Sequence, residues 1–167
     1  INQLSLALMV LFRRPLPDVF REAITRPLGI DDGWEWVGYD DAWVEIDGRR
    51  MQSVPGGSHW GAGVRISARD QAKIGQLLLD GGVASGKRVL SRGWIESMTV
   101  PCEIAPFYGK LVWLNRTRQV FPSAPSTSWF AVGHGGNITW IDPVLRMVVV
   151  VRWLDPPHID AFFGKIV

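Results

Sequence analysis

The sequence has little that would staple or anchor it. Cys102 is the only cysteine in 167 residues, so no internal disulfide and no thiolate zinc site can form, and a lone thiol does not specify a compartment. Long hydrophobic runs are missing. The apolar stretch from Leu4 to Phe12 falls short of the roughly 20 residues a bilayer needs, and it has neither a basic segment before it nor a small-residue cleavage site after it. No membrane span is expected. Basic tracts are missing too: Lys and Arg number 18 against 16 Asp and Glu, a net +2. The densest clusters, Arg13-Arg14 and Arg49-Arg50, are pairs, unlike the basic stripe of a nucleic-acid binder, so nucleic acid is not an expected partner. Repeats and low-complexity tracts do not occur, and nothing in the pattern specifies an oligomeric state.

Local signatures of metal and of some nucleophilic chemistry are also lacking. His59, His134 and His158 are the only histidines. They stand too far apart for a local ligand pattern, and no acidic residue lies beside any two of them, so no metal and no cofactor is expected. No Gly-x-Ser-x-Gly nucleophile elbow is found. Ser85-Gly86-Lys87 is expected to be a plain turn. What is present is apolar bulk: 47 % hydrophobic residues, 20 % charged and nine tryptophans, the composition of one packed globular domain. The chain enters an apolar helix with no initiator Met and stops soon after Phe162-Phe163, so residues 1–167 are expected to be a single-domain fragment.

Periodicity predicts a helix over 2–13 with Leu4, Ala7, Leu8 and Leu11 on one face. A second helix is expected around Asp18, with Val19, Phe20, Ala23 and Ile24 inward and Pro27 and Gly29 ending it. Residues 31–63 read as an irregular aromatic loop that can line a pocket, with Trp34, Trp36, Trp43 and Trp60 as wall candidates. Ser67 with Asp70 starts a helix that buries Ile74, Leu77 and Leu78 and ends at Gly81-Gly82, and Ser91 caps another through Met98. Strands are expected at Tyr108–Leu114, Trp129–His134, Ile138–Ile141 and Met147–Trp153. The run Met147-Val148-Val149-Val150-Val151 reads as a central strand covered on both faces, and Trp94, Trp140 and Trp153 as core. The fold class is α+β, an antiparallel sheet flanked by helices.

Three segments resemble the serine β-lactamase-like superfamily, which includes class C β-lactamases, penicillin-binding proteins, carboxylesterases and D-aminopeptidases. The first is Phe20-Arg21-Glu22-Ala23-Ile24-Thr25-Arg26-Pro27-Leu28-Gly29-Ile30, similar to a helix ending in Pro-Leu-Gly-Met. The second runs Gly61-Ala62-Gly63, Ser67-Ala68-Arg69-Asp70, Leu77-Leu78-Leu79-Asp80-Gly81 and then Leu90-Ser91-Arg92-Gly93-Trp94, like the superfamily's Ser-x-x-Asp, Leu-Leu-x-x-Gly and Leu-Ser-x-x-Trp series. The third is Val132-Gly133-His134-Gly135-Gly136-Asn137 followed by Trp140-Ile141-Asp142-Pro143. It resembles the third catalytic motif, Lys-Thr-Gly or His-x-Gly. The resemblance implies a partial β-lactamase/transpeptidase-like fold and places His134 in the basic position and Gly136 at the glycine of the catalytic motif. Gly135 and Asn137 would contact substrate, with a backbone N–H near Asn137 serving as half of an oxyanion hole. His59 and Trp60 border the cleft in this reading.

The same resemblance shows what these residues do not include. The superfamily's nucleophile lies in Ser-x-x-Lys and its second motif is Tyr-x-Asn. Neither occurs: Tyr39 is followed by Asp40-Asp41 and Tyr108 by Gly109-Lys110. The expectation is therefore the C-terminal part of a serine hydrolase that acts on an ester, amide or β-lactam through an acyl-enzyme, with a small acyl compound as partner. As a fragment it is expected to be inactive. The rival expectation is a non-catalytic binding module that keeps the fold's cleft. Asp142-Pro143 is expected to be a turn, and His158 a surface residue.

Overall fold

The computed structural model describes residues 2–52 and 63–167. The chain falls into two compact units, Ile1–Ser67 and Ala68–Val167.

In the first unit, helix α1 (Asn2–Phe12) is followed by α2 (Leu16–Phe20) and a π-helical turn (Arg21–Thr25). Strands β1 (Trp34–Val37), β2 (Trp43–Ile46), β3 (Arg49–Gln52) and β4 (Gly63–Ile66) then form two antiparallel pairs, β1 with β4 and β2 with β3. Helix α1 buries Ser5 and Met9, not the expected Leu4–Leu11 stripe. Leu4 and Leu11 are exposed. The helix carries no charge, so apolar residues occur all round it and periodicity cannot single out the buried face. The second helix differs for another reason. Its Arg26 N–H donates to the Arg21 carbonyl, five residues back, and this wider turn shifts the inward position from Ala23, which is exposed, to Thr25, which is buried. Of the expected aromatic loop, residues 31–52 hold three strands and Gly63 opens a fourth, while residues 53–62 lie outside the described residues. Trp34 and Trp36 lie on β1 and pack edge-on against Phe20 at 5.2 and 5.6 Å, while Trp43 on β2 lies under the Arg50 guanidinium at 4.8 Å. These strands are four residues long and partly open on both faces, so they lack the clean alternation that would reveal them.

The second unit is a four-stranded antiparallel sheet with helices on both faces. Strands β7 (Trp113–Leu114), β8 (Trp129–Gly133), β9 (Asn137–Asp142) and β10 (Met147–Val151) are ordered β10-β9-β8-β7. The pleat sorts the core into two layers. Phe130, Ile138 and Trp140 face Ile159 and Phe163 of helix α5 (Pro156–Phe163), with Met147, Val149 and Val151 against the same cluster. Trp129 and Ile141 face the other way, with Val148 and with Leu78 and Leu79 of helix α3 (Ala68–Leu79). Gly75 is where α3 meets the sheet: a Cβ there would stand 2.6 Å from Val148 Cγ1. Helix α3 ends as expected, with the Gly81 and Gly82 N–H groups donating to the Leu78 and Leu77 carbonyls. Ser85 and Gly86 form the turn between the two-residue strands β5 (Val83–Ala84) and β6 (Lys87–Arg88). Ser91 Oγ caps helix α4 (Arg92–Met98) by accepting from Trp94 N–H at 3.1 Å.

The valine strand β10 has one strand neighbour among the described residues, so it lies at the sheet edge and not at its centre. Its apolar character reports two covered faces, which an edge strand also has when a helix lies on each side. The expected strand at Tyr108 shortens to Trp113–Leu114 because the chain doubles back, with Gly109 N–H donating to the Val112 carbonyl and Tyr108 bridging Trp113. Trp140 is fully buried. Trp94 and Trp153 are 51 % and 76 % exposed, contrary to their expected place in the core. Among the described residues no helix is long and apolar enough to cross a membrane.

Candidate functional site

Strands β8 and β9 are joined by His134-Gly135-Gly136, a turn closed by the Gly133–Asn137 pair. Gly135 and Gly136 have φ of +72° and +70°, a region that costs an ordinary L-residue about 1–2 kcal/mol. Space is as restrictive as torsion. A Cβ on Gly136 would lie 1.9 Å from the Leu154 carbonyl oxygen, and one on Gly135 would lie 2.4 Å from Trp153 Cζ3. The segment leaving β10 is thus seated directly against the turn, and only glycine lets the two backbones approach this closely.

His134 is exposed at the start of the turn. Its carbonyl accepts from Asn137 Nδ2 at 2.6 Å, so the Asn137 side chain ties the turn to itself. The Asn137 Oδ1 atom is buried without a hydrogen-bond partner. Beside the turn, β7 pairs with only Trp129 and Phe130 of β8, so the outer edge of β8 at Ala131, Val132 and Gly133 has no strand partner among the described residues, and these three residues are exposed. An extended chain can add to such an edge through backbone hydrogen bonds.

Residues 134 to 137 are therefore brought together at one end of the sheet. His59 and Trp60, the other two expected site residues, lie outside the described residues. Among the described tryptophans, Trp34, Trp36 and Trp43 belong to the first unit and pack as given above. Two neighbours of the turn were not anticipated from sequence: Trp153, whose ring lies on Gly135, and Leu154, whose carbonyl faces Gly136. Trp153 has φ of +53°. No pattern announces such a conformation when the residue is not glycine. Arg152, just before it, is partly buried, and burial lowers its guanidinium pKa from the ordinary value.

The opposite end of β9 is built differently. Asp142 is fully buried. Its carboxylate accepts from Ser128 Oγ at 2.7 Å, Thr127 Oγ1 at 2.8 Å, Leu145 N–H at 2.8 Å and Val144 N–H at 2.9 Å. Burial alone would raise its pKa, but these donors outweigh burial and hold it below the usual carboxylate value. This is a structural turn, as the Asp-Pro pair suggests, and Ser128 Oγ also accepts from Trp140 Nε1 at 2.8 Å. A cavity of about 310 Å³ lies at this end, lined by Leu78, Leu79, Ile95, Trp129, Ile141 and Pro143 with Arg92 and Glu96 at its rim. It does not include the His134 turn. No group of three or more His, Cys, Asp or Glu side chains that could hold a metal is formed among the described residues.

No family model matches the chain. Over 132 residues it is 32 % identical to the 6-aminohexanoate-dimer hydrolase of Paenarthrobacter ureafaciens, an alignment covering 68 % of this chain and 32 % of that protein. A solved structure described as a 6-aminohexanoate-dimer hydrolase from Bacillus anthracis superposes with a TM-score of 0.62 at 22 % identity, covering 89 % of this chain and 35 % of the other. A structure described as a β-lactamase from Bacteroides dorei gives a TM-score of 0.51 at 14 % identity, covering 81 % and 43 %. The chain thus spans about a third of the length of the curated relative it matches. Both solved structures share its fold, and the sequence relative shares about a third of the aligned residues. With the ordered motifs that end at the glycine turn, these likenesses give the chain a fold shared with a 6-aminohexanoate-dimer hydrolase and a β-lactamase, in keeping with its resemblance to the serine β-lactamase-like superfamily.

Proposed function

We propose that residues 1–167 form the C-terminal wall of a serine hydrolase that cleaves an ester, amide or β-lactam by acyl transfer, with the attacking serine supplied by polypeptide outside these residues. The observation that carries the reading is the His134-Gly135-Gly136 turn, an exposed imidazole on a glycine-built corner beside an open strand edge. In this reading the substrate lies along Ala131–Gly133 as an added strand. His134 then orients the scissile carbonyl or holds a proton near it, and a backbone N–H near Asn137 polarises the carbonyl oxygen. One such donor is worth about 100-fold or more in rate. The 6-aminohexanoate-dimer hydrolase relative points to a 6-aminohexanoate amide as the first substrate to try. Alone, these 167 residues lack the Ser-x-x-Lys and Tyr-x-Asn pair that would form and resolve an acyl-enzyme.

A fluorophosphonate probe tests the proposal. The product of the full reading frame is expected to be labelled at one serine within a Ser-x-x-Lys, and the 167-residue chain to remain unlabelled. If the full product is not labelled, the acyl-enzyme reading fails and the binding-module alternative takes its place.

A further inference from the structure

Trp153 is held in a conformation that its own stability does not explain. A bulky residue at φ of +53° holds a left-handed backbone that L side chains rarely adopt. Burial would normally offset such strain, yet 76 % of this residue is open to solvent. The indole touches Gly135 along one edge. Anchoring the turn requires no ring of that size, since the closest approach at the corner is made by the Leu154 backbone against Gly136. Strain concentrated on an exposed side chain beside a candidate site marks a contact made with something else. A second exposed apolar residue stands at the same end of the sheet: Val132, on the penultimate position of β8, is 41 % exposed. The His134 turn is therefore flanked by apolar surface on the β8 side and on the side where the chain leaves β10.

We propose that Trp153 is the specificity-determining wall of the acyl site, an indole face on which the apolar chain of the substrate lies while its carbonyl is held at the His134 turn. The proposal rests on the hydrolase reading above and adds a ligand class to it, acyl groups that carry an extended hydrocarbon segment. A flat aromatic face suits such a chain, because each methylene it covers is withdrawn from water and the gain grows with chain length. Trp153 bears no proton that the reaction uses. It acts through binding, so its effect grows with acyl length and falls mainly on KM when substrate and transition state are held equally.

The experiment uses the full-length protein and a series of p-nitrophenyl esters from acetate to octanoate. Trp153→Ala is expected to lower kcat/KM for octanoate by about 10-fold, chiefly through KM, and to leave acetate within about 2-fold. Trp153→Phe is expected to recover most of the loss. Trp153→Gly removes the ring and relieves the backbone strain together, so it provides a folded variant should the alanine form be unstable, and it is expected to show the same length-dependent loss. Equal losses on acetate and octanoate, or an unchanged length profile, would overturn the inference while the wild type still turns over. A wild type that hydrolyses none of the esters and takes no fluorophosphonate label overturns the functional reading, and this inference with it.

Discussion

The two ends of strand β9 are about 17 Å apart by strand rise and are built on opposite principles. At the Asp142 end a buried charge receives four hydrogen bonds, from two hydroxyls and two backbone amides. At the Asn137 end an amide oxygen is buried without a partner, two successive glycines hold a left-handed backbone, and an indole sits exposed on a strained residue. The same strand thus ends in a turn whose buried charge is saturated with hydrogen bonds, although Arg146 there has φ of +51°, and in a turn of two left-handed glycines beside an exposed indole where a ligand is expected to bind. Saturated polar groups rigidify a turn; strain and open apolar surface are retained where a site needs them. Substitutions at the two ends should accordingly separate stability from turnover, and the following changes are ordered by the stability each is expected to remove.

Gly136→Ala is expected to be the most damaging. Its Cβ would meet the Leu154 carbonyl oxygen at 1.9 Å, and because the obstacle is backbone, relief requires moving either the turn or the segment after β10. A loss of about 3 kcal/mol or more in urea unfolding is expected, with ester turnover in the full-length protein falling at least about 100-fold. Gly135→Ala should cost less, because Trp153 is a side chain and can swing away. A Gly136→Ala protein as stable as wild type would show that the Leu154 segment does not brace the turn.

Asp142→Asn comes next and tests the opposite end. Asparagine keeps the shape but loses the charge and part of the accepting capacity, so about 2–3 kcal/mol of stability should go while turnover per folded molecule stays the same. The pH dependence carries a definite sign. Hydrogen bonding holds the folded Asp142 carboxyl below its ordinary value. Its contribution is therefore fully present above the unfolded carboxylate pKa, near about 4, and is lost as pH falls through the lower folded value. Urea midpoints measured from pH 7 down to pH 3 should fall more steeply for wild type than for Asp142→Asn. Parallel curves would remove Asp142 from the acid response.

How much of this was legible in the sequence follows from which signals are local. Gly81-Gly82, Ser91 and Asp142-Pro143 were readable because caps and turns are made by the residues that announce them. The alternation Phe130, Ile138, Trp140 against Trp129, Ile141 follows from period two once the strands are recognised. The position of β10 was not readable, because a run of valines reports coverage of its faces by α3 and α5 and says nothing about how many strands lie beside it. The π-turn at Arg21–Thr25 displaced Ala23 for the same kind of reason: one wider turn, invisible in composition, rotates every position after it. Of the candidate site, the turn glycines and His134 could be read as a motif. Trp153 could not, since its exposure comes from a left-handed residue that no rule assigns to tryptophan, and its proximity to Gly135 comes from the β8–β9–β10 register.

His134→Ala is expected to remove the least stability and to test the comparison most directly. The side chain is exposed on the turn, and the interaction that ties the turn, Asn137 Nδ2 to the residue-134 carbonyl, uses backbone that alanine retains. Urea unfolding should therefore shift by no more than about 0.5 kcal/mol. If the imidazole orients the acyl group or holds a proton near it, kcat in the full-length protein should fall by about 100-fold. Glutamine at the same position, which can donate a hydrogen bond but cannot carry the proton, separates the two roles: orientation predicts partial recovery of kcat, and proton transfer predicts none. A stable His134→Ala protein with wild-type kcat would mean that the strained end of β9 is not a working end, and the contrast between the two turns would reduce to one of packing.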